Sequence, residues 1–376
     1  MEDKDQQMRV FLVDIVTKDT SIALLEDRMR ELENLVETYG GLVVLKKFQK
    51  KDQPDYKTYI GKGKLEEIMA DMQRLDANIL IVGNVLKPSQ IYHLNEILRP
   101  LKAEARDRVD LILKIFGKHA ESMESRLQIE LAAIRHMGPR IFGMGMELSR
   151  QGGNSWGGGW ASRWLGETNT ERMKRHLKEK VLKIENELKE YEKMRKLHRE
   201  WRIRKGMPTI GIVGYTNTGK SSLLNVMTKK WILAENKLFA TLGTHVGKLY
   251  IMKNSETWEW KEILLNDTIG FIRDLPPKLI KSFSSTLEDS IESDMLLHVI
   301  DASDPFIDER IQIVNDILDK IGAKQKRMMV FNKIDLLDKQ QLEEIKQHFP
   351  DKENVRISVK DAINLEEIKT TIINNV

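Results

Sequence analysis

Apolar positions along this chain change rhythm twice. Through the first 118 residues, short runs of Val, Ile and Leu alternate with stretches in which apolar residues recur every three or four positions. Arg9–Val16, Gly41–Leu45, Asn78–Val82 and Asp110–Phe116 read as buried strands, and Ser21–Tyr39, Lys64–Leu75 and Ser89–Leu98 as amphipathic helices. This alternation predicts a small α/β layer on a largely parallel sheet. Gly61-Lys62-Gly63-Lys64 reads as a turn opening a helix.

From residue 119 the period is helical. Ser122–His136 and Thr168–Lys205 each carry an apolar stripe among charges, predicting a long antiparallel hairpin over residues 119–205. Its connector holds nine of the 23 glycines, between 138 and 166, a density that argues against helix. Trp156, Trp160 and Trp164 sit there with Arg150 and Arg163, a mixture suited to stacking on an exposed nucleic-acid base. A loop whose aromatics fold back on the body is the competing reading.

The third segment, 206–376, returns to strands, each running into a polar loop. Thr209–Val213, Ile263–Asn266, Met295–Ile300 and Arg327–Phe331 read as buried strands, with a final one ending at Ile357-Ser358-Val359-Lys360. A helix is expected over Ser222–Thr228. The predicted class is α/β, with a mixed, mostly parallel sheet carrying helices on both faces.

Composition narrows the chemistry. At 376 residues the chain has room for two or three domains with real cores. It has no cysteine, which excludes disulfides, thiolate metal sites and a cysteine nucleophile. No two of its eight histidines lie three or four apart, so no helical zinc pair is written in it. The 61 basic residues nearly balance the 57 acidic ones, for a net charge of +4, and make no global case for nucleic acid. The exception is residues 193–205, where seven cations face Glu200 alone. No apolar window is long enough for a membrane span. A cytoplasmic, monomeric protein is expected.

The sharpest signal is Gly214-Tyr215-Thr216-Asn217-Thr218-Gly219-Lys220-Ser221, running from the Thr209–Val213 strand into the helix that Ser222 helps open. Glycines at this spacing let backbone N–H groups turn inward around phosphate oxygens, and the helix N-terminus adds its positive end. Lys220 can reach the β- and γ-phosphates, and Ser221 can offer a hydroxyl to Mg²⁺. Asp267-Thr268-Ile269-Gly270 follows 53 residues after Gly214, also at a strand end. Asp267 can hold a metal-bound water, and the Gly270 amide can meet a γ-phosphate. Asn332-Lys333-Ile334-Asp335 closes another strand. Asp335 can accept two hydrogen bonds from guanine, whereas adenine would leave the carboxylate unpaired. At Ser358-Val359-Lys360 a backbone N–H can meet the guanine O6. Together the four loops specify GTP.

On these motifs the segment resembles a Ras-like P-loop GTPase of the translation-factor-related class. With Leu238-Phe239-Ala240-Thr241-Leu242 and Asp267-Thr268-Ile269-Gly270-Phe271-Ile272-Arg273-Asp274-Leu275-Pro276 it resembles the HflX GTPases. Tyr59-Ile60-Gly61-Lys62-Gly63-Lys64, Pro88-Ser89-Gln90 and Leu127-Gln128-Ile129-Glu130-Leu131-Ala132 extend the similarity upstream. The resemblance implies an N-terminal α/β subdomain (1–118), a helical hairpin (119–205) and a GTPase domain (206–376). It implies binding to the large ribosomal subunit and GTP-linked splitting of stalled or idle ribosomes; the tip loop 141–166 and the basic run 193–205, singled out by their composition, are the expected rRNA contacts. It also implies a switch I of Phe239, Ala240, Thr241, Leu242 and Gly243, in which Thr241 completes the Mg²⁺ ligands beside Ser221 and Asp267. Lys220, Thr241 and Gly270 would then carry catalysis. The segment Gly243-Thr244-His245-Val246 stands where the family usually continues Asp-Pro-Thr. Phe271 occupies the position at which Ras-like enzymes place a water-orienting Gln, so slow intrinsic turnover is expected. A weakly hydrolysing guanine-nucleotide sensor, acting in ribosome assembly or dormancy, is the alternative.

Overall fold

The computed structural model describes residues 7–120, 122–136, 161–228, 245–254, 259–276, 279, 291–351 and 354–375. The chain forms two compact units, Met1–Lys118 with Arg126–Leu188, and His119–Ser125 with Lys189–Val376.

The first unit is built on β1 (Arg9–Val16), α1 (Ile22–Tyr39), β2 (Leu42–Lys50), α2 (Lys62–Arg74), β3 (Ile79–Val82), α3 (Pro88–Leu98), β4 (Glu104–Asp107) and α4 (Arg108–His119). Its four strands lie in the order β2-β1-β3-β4, every pair parallel. Consecutive residues Val10, Phe11, Leu12 and Val13 are fully buried, because both faces of a parallel sheet are covered. Phe11, Val13, Leu80 and Val82 pack with Leu65 and Ile68 of α2 and Ile91 and Leu94 of α3. Helix α1 starts where sequence reading places it, because Ser21 Oγ accepts the Leu24 N–H at 3.2 Å. It stops at Gly40, whose left-handed φ of 101° lets its N–H reach back to Val36 and Glu37.

Two boundaries differ from expectation. Asp110–Phe116 is not a strand but the body of α4, and the fourth strand is the short Glu104–Asp107 before it. An unbroken apolar run carries no period that separates buried strand from buried helix. Here Asp107 decides, since its Oδ1 accepts the Asp110 N–H at 2.9 Å and caps the helix. With Val109, Leu111, Ile112, Leu113, Ile115 and Phe116 all buried, the run is apolar on every side because protein surrounds it. Strand β2 runs five residues past Leu45, through the alternating Lys46-Lys47-Phe48-Gln49-Lys50. It is an edge strand, with Lys46 paired to Glu33 and Lys47 to Glu67 and Asp71.

Helix α5 covers residues 123–136 and α6 covers Ala161–Arg204. The second begins earlier than the glycine density suggests, so Trp164 and Gly166 lie within helix. One glycine costs about 1 kcal/mol, which 44 residues readily absorb. Within the first unit, Arg135 pairs with Glu185 and Lys180 with Glu130, and Ile184 is buried. The remaining tip residues, 141–160, lie outside the described residues. No helix among the described residues is long and apolar enough to cross a membrane.

The second unit comprises β5 (Thr209–Val213), α7 (Lys220–Thr228), β6 (His245–Asn254), β7 (Glu259–Asp267), β8 (Met295–Asp301), α8 (Ile307–Ile321), β9 (Lys326–Asn332), α9 (Lys339–His348), β10 (Val355–Arg356) and α10 (Leu365–Asn375). Its six strands run in the order β10-β9-β8-β5-β7-β6, all parallel except the β6–β7 pair. On one face Ile210, Ile212, Leu297 and Val299 pack with Leu223 and Leu224 of α7 and Ile368 and Ile372 of α10. On the other, Ile300 and Phe331 pack with Ile311 of α8. Strands β5, β7, β8 and β9 are parallel neighbours, so their C-terminal ends open at one edge of the sheet. The last strand stops at Arg356, and Ser358 follows in a bridge to Ile363.

Candidate nucleotide site

Each of these strand ends contributes one loop. The loop after β5 turns on Gly214, with φ 155°, and Gly219, with φ 92°. A Cβ on Gly214 would sit 2.2 Å from the Val299 carbonyl, and one on Gly219 would sit 2.4 Å from Asn332 Nδ2. Only glycine fits either position. Inside the turn the Thr218 hydroxyl and Lys220 Nζ both donate to the Tyr215 carbonyl, at 3.0 and 2.6 Å. Asn217 takes a left-handed φ of 62° at the crest, while Thr216 and Thr218 are buried. Ser221 and Ser222 lie in the first turn of α7.

Lys220 is buried, and burial pushes its pKa down to about 8. The Asp267 carboxylate opposes that shift and Lys333 adds to it. A buried ammonium suits an anion that replaces the lost hydration.

Asp267 ends β7, wholly buried, and its Oδ2 accepts the Ser221 hydroxyl at 2.5 Å. A hydroxyl and a carboxylate converging there are hard oxygen donors, the set that suits Mg²⁺. Thr268 is held in place by donating to the Ile212 carbonyl at 2.7 Å. Ile269 is buried. Gly270 presses so close that a Cβ there would meet Lys220 Nζ at 3.0 Å.

On the far side, Asn332 Nδ2 donates to the Thr218 carbonyl at 2.8 Å and its Oδ1 accepts the Val359 N–H at 3.1 Å. One side chain thus joins three loops. Lys333, in the left-handed conformation with φ 66°, reaches Asp301 at 2.6 Å. Asp335 Oδ1 accepts the Ser358 hydroxyl at 2.6 Å, while Lys360 stands 3.9 Å from Oδ2. The structure therefore brings together all the expected residues of the 214–222, 267–270, 332–335 and 358–360 loops. Phe239, Ala240, Thr241, Leu242 and Gly243 lie outside the described residues.

Two features of the site escape sequence reading. Tyr215 occupies a position at which the loop motif accepts any residue, yet its hydroxyl links three segments. Phe271 is buried, and its backbone is fastened to the phosphate loop at Gly214 and Thr216. In the first unit, His136 Nε2 lies 3.2 Å from Asp107 Oδ1, a pairing no spacing rule would find.

A sheet whose strand ends assemble a phosphate loop, a strand-end Asp–Ser pair and an Asn/Asp base clamp defines a P-loop GTPase. Family models extend this to most of the chain: "GTP-binding GTPase N-terminal" matches residues 26–117, "GTP-binding GTPase Middle Region" 119–202 and "50S ribosome-binding GTPase" 209–333. The chain is 41% identical to the GTPase HflX of Caldanaerobacter subterraneus over 88% of its length and 73% of that protein's. It is 36% identical to the GTPase HflX of Escherichia coli over 84% of its length and 70% of that protein's. The chain belongs to the HflX GTPase family. Among solved structures, the complex of SsGBP with GDP superposes with a TM-score of 0.51 at 27% identity, covering 97% of each chain.

Proposed function

We propose that this protein couples GTP hydrolysis to the large ribosomal subunit, splitting or rescuing stalled or idle ribosomes in the cytoplasm. The match of residues 209–333 to a 50S ribosome-binding GTPase carries this reading. Residues 1–118 and 119–205 would form the ribosome-facing parts, and 206–376 the nucleotide-driven part.

Phosphoryl transfer is largely positioning and charge neutralisation. Lys220 and the backbone of residues 214–221 would hold the β- and γ-phosphates, and Asp335 would select guanine. Bound Mg²⁺ would supply neutralisation of charge developing on the phosphates. Ser221 and Thr241 would hold it directly and Asp267 through water. At the position of a water-orienting side chain stands Phe271, buried and unable to hydrogen-bond water. Intrinsic turnover is therefore slow, and the ribosome supplies what orders the attacking water.

The basic run enters this reading with fewer cations than its composition suggests. Lys193 pairs with Glu190, Arg195 with Glu124 and Arg199 with Glu292, leaving Lys196, Arg202, Arg204 and Lys205 around the half-exposed Trp201 as the candidate rRNA surface. The test is a multiple-turnover assay with and without large subunits, paired with co-sedimentation in a GTP analogue, in GDP and without nucleotide. Subunit-stimulated turnover and analogue-dependent pelleting are expected. Fast turnover alone, unaffected by subunits, would overturn the proposal.

A further inference from the structure

The strip that follows Asp267 lies against the phosphate loop through three contacts in succession. Phe271 donates its N–H to the Gly214 carbonyl at 3.0 Å, and its carbonyl accepts the Thr216 N–H at 2.8 Å. The third contact is made by a side chain, because the Arg273 N–H donates to the Tyr215 hydroxyl at 2.9 Å. That hydroxyl also accepts from Arg310 Nη1 at 3.0 Å, and the Arg310 guanidinium lies over the Tyr215 ring, 4.4 Å from its centroid. All three residues are nearly inaccessible to solvent.

Arg310 is itself held from behind. Its Nε donates to Asp304 Oδ2 at 3.2 Å, and Asp304 Oδ1 accepts the Phe306 N–H at the entry to α8. The neighbouring Glu309 stands 3.7 Å from Arg273 Nη1. The first turn of α8 thus grips residue 273 twice, at its side chain and, through Tyr215, at its main chain. A planar guanidinium can stack and donate at once, which an ammonium cannot do in the same place.

We propose that Arg310 is a positioning residue for GTP recognition: through the Tyr215 hydroxyl it holds residues 270–273 against the phosphate loop and sets the Gly270 N–H on the γ-phosphate side of Lys220. The proximity of Gly270 to Lys220 Nζ is what gives the clamp this consequence. GDP has no γ-phosphate, so the clamp acts on the choice between the two nucleotides. The proposal rests on the nucleotide-site reading of residues 214–221.

Tyr215→Phe keeps the ring, the stacking surface and the backbone of the loop, and removes only the shared hydroxyl. In the full-length protein with fluorescent nucleotides, we expect affinity for a non-hydrolysable GTP analogue to fall about tenfold, the size of one hydrogen bond. GDP affinity is expected to stay within about twofold, and turnover at saturating GTP to fall as well. Arg310→Lys, with positive charge retained, is expected to shift the ratio in the same direction. An equal loss for both nucleotides in both variants, or no loss in either, would overturn the proposal. Retained GDP binding would show that the nucleotide site stands even if the clamp does not matter.

Discussion

At the scale of single residues, two buried bases and one carboxylate make measurable statements. Asp335→Asn replaces an acceptor of guanine's N1–H and 2-amino groups with an amide. GTP affinity should fall ten- to a hundredfold, following ~1–3 kcal/mol of lost pairing, while xanthosine triphosphate gains. Competition binding with both nucleotides reads this directly. Lys220 has a pKa of about 8 in the free protein, and phosphate favours the ammonium. GTP affinity is accordingly flat below pH 8 and falls above it, by about tenfold between pH 7 and 9, in a titration with Mg²⁺ held saturating. His298, buried in the middle of β8, is the opposite case. Burial first, then Arg327 and Lys220, push its pKa down to about 3, against 6.5 when exposed. The unfolded chain takes up a proton below pH 6.5 that the folded chain refuses, so stability declines from pH 6.5 toward 3. By pH 5 the loss is about 2 kcal/mol relative to pH 7. His298→Leu should lack that slope in urea titrations at the two pH values.

At the scale of elements, the strand-end loops were legible because phosphate and guanine dictate their residues. Gly214 and Gly219 cannot be replaced without collision, Asp267 and Asn332 end their strands, Lys220 opens the helix after β5, and Asp335 lies in the turn after β9. Helix α4 was not legible, because Val109–Phe116 is apolar at almost every position and the deciding contact is a cap. That contact is testable. Asp107 accepts the Asp110 N–H and the Leu86 N–H, at 2.9 and 3.2 Å, beneath the surface. Asp107→Ala leaves both donors buried without an acceptor and should cost ~2–4 kcal/mol, read as an earlier loss of helical circular dichroism in urea. The Tyr215 clamp was invisible for a different reason. Its partners lie 58 and 95 residues away, and nothing in the spacing of the loop motif asks for a tyrosine.

At the scale of the whole chain, the two units divide the chemistry unequally. The second holds every described loop that would meet nucleotide, whereas the first offers a parallel sheet of the same type with no such glycine-rich loop at its strand ends among the described residues. Near the end of β1 in the first unit, Asn84 Oδ1 accepts the Ile15 N–H and its Nδ2 donates to the Ile15 carbonyl, both at 2.9 Å, so an amide side chain takes up the backbone groups there. That unit also carries its own protection at high concentration. Strand β2 leaves one row of backbone donors and acceptors unmatched at the sheet edge, beside the exposed Leu42 and Phe48. An unmatched row of this kind is a template for pairing with a second copy. Glu33 holds Lys46, and Glu67 and Asp71 hold Lys47, so Lys50, whose ammonium donates to the backbone carbonyls of Lys18 and Thr20, is the strand lysine whose charge a second copy would meet with its own. Fibre growth through this edge is thereby opposed by charge, and opposed less as added salt screens it.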